Sequence, residues 1–421
     1  MSIIKKSLIF LLPLSLIFIT LSLVKINEPK EISNHSILEL CDFERYNKTS
    51  QNCLRMVIKY AIDKNSYKDL VRELDKAEAN YADFFSFCHT VTHSLGNYAL
   101  ERYKDINTLL EDTTYETCGG GMSHGALFSY LAQPDISDQE VGLLVKACLE
   151  SVNAPTCSHG IGHAFASSEE TEVALDKCMK SSLAYIDKNK EISAHGFAHS
   201  CNYGVIMEKF APFGSIKLNF NIENKAQAAD YCVKFYRDNF NEKSFDVDRN
   251  SIMISLFNGC AAGVGFSYGS EIMSRLMGKS INIESYDQTF EYIDNCTKIN
   301  NLGAEYSLKY NPNNLGSMDK SLANEEVYNY IYGCQIQTLL NTSNFLFINL
   351  DRIDEIKAKE AVTSYREFCS NFAKELDNVK YDLKIRNFYT DFNFNTACDL
   401  AAVKNKSLII KDRYLKIVSL L

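Results

Sequence analysis

Six of the chain's eight histidines form three H-x3-H pairs: His89/His93, His159/His163 and His195/His199. His124 stands alone between the first two pairs, and no histidine follows residue 199. Residues four apart on a helix project from one face, so each pair can grip one metal ion if its segment is helical. Neutral imidazole is a good ligand for zinc, copper, iron or nickel. A catalytic zinc site uses three protein ligands and keeps one position open, so seven histidines supply one site or two. A binuclear centre for hydrolysis or oxygen chemistry is within the same reach. Zinc is the expected ion, with copper and iron as alternatives. Carboxylates near the cluster are few: Glu101, Glu169, Glu170 and Glu208. Glu208 and Glu170 are the candidate general bases for a metal-bound water, although Glu169 and Glu170 also read as a solvated charged face.

Two readings compete with metal binding. Repeat proteins often place a polar residue at one position of every repeat to bond neighbouring turns. His124 and His163 each lie six residues after a cysteine of the pattern C-x2-G, as that reading requires. Met207 and Phe266 hold the same place after the next two such cysteines, so the scaffold does not need histidine there. The other reading is acid–base catalysis by histidine without a metal. Signatures of other chemistries are missing: there is no G-x-S-x-G, no Walker A loop, no H-E-x-x-H and no C-x2-C. The proximity of Cys88 to His89 and of Cys157 to His159 leaves room for a mixed Cys–His zinc site. The glycine run Gly119, Gly120, Gly121 reads as an anion site at a helix start or as a tight turn.

The elements that must position these residues are marked by fourteen cysteines. Cys148, Cys178, Cys232, Cys296 and Cys369 follow apolar-periodic segments and read as helix ends. Cys118, Cys157, Cys201 and Cys260 open the pattern C-x2-G and read as helix starts; Cys334 and Cys398 sit in comparable places, with Gln337 and Ala401 at the glycine position. The two kinds alternate, which marks an irregular internal repeat. Pairing in sequence order gives 41–53, 88–118, 148–157, 178–201, 232–260, 296–334 and 369–398, each bond stapling consecutive helices. The glycine one turn past each cysteine is expected to let the stapled partner approach closely. Buried free thiols are the alternative.

The segments between read as helices. Leu54, Val57, Ile58 and Ala61 recur at helical spacing, prolines number six, and few runs alternate as strands do. Stretches 237–250 and 301–320 are polar, Asn-rich and loop-like. The expected fold is all-α: helical-hairpin repeats, as a solenoid or an α/α toroid, stapled by sequential disulfides and preceded by one N-terminal membrane-targeting helix. Residues 31–421 form one repeat domain, with a His-rich half at 81–270 and a His-free half at 271–421.

Residues 1–30 read as a signal peptide or signal anchor. Lys5 and Lys6 precede eighteen uncharged residues, 7–24, which as a helix span about 27 Å, close to a bilayer core. Thr20 and Ser22 offer a small-x-small cleavage site. Cleaved signal and retained anchor both place the body outside the cytoplasm, where an even cysteine count reads as a disulfide framework. The expected location is periplasmic, cell-surface or secreted, with a membrane contact only through 7–24. A net charge of −9 argues against a nucleic-acid partner.

The His-Gly motifs at His124, His159 and His195 loosely resemble those of lanthionine-cyclase-like proteins over residues 118–201. That resemblance implies a helical toroid whose zinc is held by two cysteines and one histidine near glycine-rich helix starts. The W-C-x-G and C-H-G elements of that family are absent here, so none of its residues is carried over. The functional expectation is an exported or membrane-anchored metal-binding protein, acting as a metal-dependent hydrolase. A non-catalytic metal-binding or delivery protein and a metal-free interaction scaffold are the alternatives.

Overall fold

The computed structural model describes Cys41, residues 48–278 apart from 65–66, 81, 112–117, 134–135, 152–153, 185–190, 211–226 and 240–246, and scattered positions between 295 and 370. The chain divides into two compact units, 1–41 and 42–421, and every helix named below belongs to the second. The expected export segment at 7–24, Cys369 and Cys398 lie outside the described residues.

Among the described residues the structure is helical, without strand. The helices are α1 Lys48–Asp63, α2 Tyr67–Asn80, α3 Ala82–Tyr103, α4 Ile106–Glu111, α5 Gly121–Leu131, α6 Asp138–Glu150, α7 Ala154–Ser168, α8 Thr171–Ala184, α9 Glu191–Phe210, α10 Ala228–Asn239 and α11 Val247–Gly278. Local chemistry sets several boundaries. Ser137 accepts the Glu140 backbone N–H while Glu140 accepts that of Ser137, a reciprocal cap that starts α6. Lys104 turns left-handed (φ 55°) to end α3, and the Asp105 carboxylate then accepts the backbone N–H of Asn107 and the hydroxyl of Thr108 to open α4.

Packing runs in a row. α3 lies against α5, α5 against α7, α7 against α9 and α9 against α11. The helices between them pack on the row: α4 on α5, α6 on α7, α8 on α9 and α10 on α11. Leu54, Leu127, Ile161, Val205, Phe257 and Val264 are buried in the core. The stretch Ile252–Gly269 of α11 is long and apolar enough to cross a membrane, but 94% of it is buried inside the body, as in a core helix.

Five disulfides follow sequence order as expected: 88–118, 148–157, 178–201, 232–260 and 296–334. Cys41 and Cys53 each take part in a disulfide. Such a framework is typical of proteins outside the cytoplasm. The helix-end and helix-start assignment holds only in part. Cys148 is in the last turn of α6 and Cys157 in the first turn of α7. Cys178 and Cys201 lie in the interiors of α8 and α9, Cys232 near the start of α10, and Cys260 deep in α11. Apolar periodicity reports which face of a helix is buried, not where the helix stops, which caps and turns decide. The same limit applies to 237–250, whose two ends are helical: α10 runs to Asn239 and α11 begins at Val247.

Candidate metal centre

The histidines sit on four members of the row: His89 and His93 on α3, His124 on α5, His159 and His163 on α7, and His195 and His199 on α9. Glycines bring these helices together backbone to backbone. A Cβ on Gly125 of α5 would fall on the His93 carbonyl, and one on Gly204 of α9 on the His159 carbonyl. One on Gly160 of α7 would come within 2.8 Å of the His124 ring. Only glycine permits such approach. The C-x2-G glycines therefore face the preceding member of the row. The stapled partner was expected there instead, and the two coincide only at Gly121, which meets His89 on α3.

These crossings bring five imidazoles together. The ring centres of His89 and His93 are 4.7 Å apart, and those of His159 and His163 are 4.5 Å apart. His124 lies between the pairs, 5.1 Å from His89 and 5.1 Å from His159. Two groups, His89/His93/His124 and His124/His159/His163, each place three ligand nitrogens within 4.8 Å of one another. His93, His124 and His163 are buried; His89 and His159 are half-buried. Loss of hydration lowers the pKa of His89 to about 4 and those of His93, His124 and His159 well below the usual value, with neighbouring histidines adding to the effect. Uncharged imidazole is the form that binds metal.

The partners of three rings fix which nitrogen carries hydrogen. A carbonyl or carboxylate oxygen can only accept. His89 Nδ1 donates to the Cys118 carbonyl at 2.7 Å, His124 Nε2 to the Thr156 carbonyl at 3.1 Å, and His163 Nδ1 to Glu208 Oε2 at 2.9 Å. A neutral ring has one N–H, so His89 Nε2 and His124 Nδ1 present lone pairs. His89 Nε2 and His124 Nδ1 face each other at 3.4 Å. Within the pairs, the facing Nε2 atoms of His89 and His93 are hydrogen-bonded at 3.0 Å, as are those of His159 and His163. Two nitrogens bound to one tetrahedral zinc lie about 3.3 Å apart, given Zn–N bonds of about 2.0–2.1 Å. The spacings fit that edge.

The glycine run has a role here. Cys118, Gly119 and Gly120 are all left-handed, with φ of 56°, 65° and 79°. The run is a tight turn before α5, and the Cys118 carbonyl within it meets His89.

The remaining candidate residues fall elsewhere. His195 Nδ1 is 2.9 Å from Ser255 Oγ on α11. The His199 ring lies 6.4 Å from Tyr203, which in turn lies 4.8 Å from His159. Burial lowers the His199 pKa to about 4. Neither His195 nor His199 belongs to a three-ligand group among the described residues. Glu208 is buried behind His163, and its second oxygen, Oε1, has no hydrogen-bond partner. Glu170 is exposed just before α8. Cys88, Cys118, Cys157 and Cys201 are in disulfides, so neither a mixed Cys–His site nor the two-cysteine ligand set of the resemblance is available to them.

Sequence reasoning missed the Cys118 and Thr156 carbonyls, because a backbone acceptor leaves no residue signature. It also passed over Tyr203, whose place inside the C-x2-G pattern of Cys201 was the available signal. Comparison with family models, curated proteins and solved structures found no match. The site therefore rests on its own geometry: buried histidine triads that can hold a metal ion.

Proposed function

We propose that this chain is an exported metalloprotein that holds a transition metal on the histidine cluster and uses a metal-bound water to hydrolyse its substrate. The observation that carries the metal is the convergence of five imidazoles, in which two groups each place three ligand nitrogens within 4.8 Å of one another. Donors that are all nitrogen favour zinc or copper over iron held by carboxylates, and over magnesium or calcium. A three-histidine site leaves a position for water, whose pKa a zinc ion lowers to about 7. Glu208 acts here as the carboxylate that orients a ligating histidine and strengthens its basicity. In this reading the chain is delivered by residues 7–24 to an oxidising compartment, where its hairpin repeats are stapled.

Non-catalytic metal binding is the second reading. It is favoured by the commitment of Glu208 Oε2 to His163, which occupies the carboxylate best placed to serve as a base.

The test is elemental analysis of disulfide-intact protein from an oxidising compartment, beside the variant His89→Ala/His93→Ala/His159→Ala/His163→Ala. Stoichiometric zinc or copper in the wild type and none in the variant is the expected result. A metal-free wild type that folds normally and takes up neither ion on addition would overturn the proposal. Metal-dependent cleavage of ester or phosphoester probes separates the hydrolase from the non-catalytic reading.

A further inference from the structure

We infer that the cluster takes two ions of unequal affinity, and that His124 decides which is held more tightly. The inference rests on the metal-binding reading above. The two triads share His124 and nothing else. A ring can serve two ions only by giving each a nitrogen, and His124 Nε2 already donates its hydrogen to the Thr156 carbonyl at 3.1 Å. That leaves one lone pair, on Nδ1, which lies 3.4 Å from His89 Nε2. His124 therefore completes the triad with His89 and His93 on α3.

The pair His159/His163 is still a site by itself. Both rings lie on one face of α7, their Nε2 atoms 3.0 Å apart, close to the edge that one ion requires. Glu208 stands behind His163 with Oε2 at 2.9 Å from Nδ1. Its buried carboxylate offsets the charge of an ion on the far side of the ring. With two protein nitrogens this ion needs water, hydroxide or an added ligand to complete its shell. The tight site is thus His89/His93/His124, and the weaker, more open site is His159/His163. The open site is where an exchangeable oxygen ligand belongs.

The experiment is titration of chelator-treated, disulfide-intact protein with Co²⁺, followed by visible absorption, and with Zn²⁺ by calorimetry. Two equivalents should enter in two resolved steps of unequal affinity. The variant His159→Ala/His163→Ala should keep the tight equivalent and lose the weak one. His124→Ala should weaken the tight step and leave the weak step in place. The wild-type titration needs no variant to fold, so its stoichiometry alone decides between one ion and two. A single equivalent in the wild type overturns the inference and leaves the metal-binding reading standing. Loss of the tight step in His159→Ala/His163→Ala overturns the assignment of His124. No uptake at all overturns both.

Discussion

Glu208→Gln isolates the contribution of one carboxylate. The side chain is buried and bonded to His163 Nδ1 at 2.9 Å. An ion on His163 Nε2 would lie about 7 Å from the carboxylate oxygen, given a metal–nitrogen bond of about 2 Å. At an effective dielectric of about 20, the attraction is about 2.4 kcal/mol per unit of charge, or about 5 kcal/mol for a divalent ion. Desolvation of the carboxylate offsets part of that. Losses of about 10–100-fold in affinity, usual for such partners, correspond to about 1.4–2.7 kcal/mol. Glutamine keeps an oxygen that can accept the Nδ1–H, so the geometry persists and the charge does not. The amide also places N–H groups near the spot where Oε1 lacks a partner, which alters the fold's own stability. The assay is therefore the difference between metal-loaded and metal-free stability, in which that effect cancels. At saturating Zn²⁺ the metal-induced stabilisation should shrink by about 1.4–2.7 kcal/mol. Equal stabilisation of Glu208→Gln and wild type, to within a twofold change in affinity, would refute the orienting role.

Glu170→Gln should leave zinc uptake unchanged, because Glu170 is exposed ahead of α8; a drop in stoichiometry by elemental analysis would contradict this. Gly125→Ala should destabilise the protein by about 1–3 kcal/mol in urea and weaken Zn²⁺ binding, because the added methyl meets the His93 carbonyl. Cys178→Ala/Cys201→Ala opens a bond of sequence separation 23 and should cost about 3 kcal/mol in the same assay; a change below about 0.5 kcal/mol would count against the bond's structural role. The metal-free protein should lose stability on acidification from about pH 6.5 toward 4. His89 falls to about 4 in the folded state and His93, His124 and His159 are also held well below their usual value, whereas unfolded histidine titrates near 6.5. The unfolded chain then binds more protons, and each such histidine removes about 1.4 kcal/mol per pH unit across that window. Urea melts of equal midpoint at pH 7 and pH 5 would show the histidines to be hydrated in the folded state.

Much of this organisation is local in the chain and so was legible in the sequence. His89/His93 and His159/His163 meet because four residues are about one helical turn, a property of the helix alone. The disulfides follow chain order because each joins segments already close along the chain, the separations running from 9 to 38 residues. The helical class follows from periodicity and from the scarcity of proline. Where helices stop was less legible, since Cys178, Cys201 and Cys260 occupy helix interiors as readily as ends.

The tertiary structure decided which histidines share a centre. His195 and His199 have the same H-x3-H spacing as the other pairs, yet His195 bonds Ser255 and His199 lies toward Tyr203. Spacing fixes the face of a helix, and helix crossings decide which faces meet. Those crossings depend on glycines such as Gly125 and Gly204 reaching the neighbouring backbone. Tertiary contacts also set the chemistry of each nitrogen. The Cys118 and Thr156 carbonyls dictate where the hydrogens of His89 and His124 lie, and every residue carries a carbonyl, so sequence alone cannot mark the two that count. Glu208, 45 residues beyond His163, becomes its partner only because α7 and α9 pack side by side.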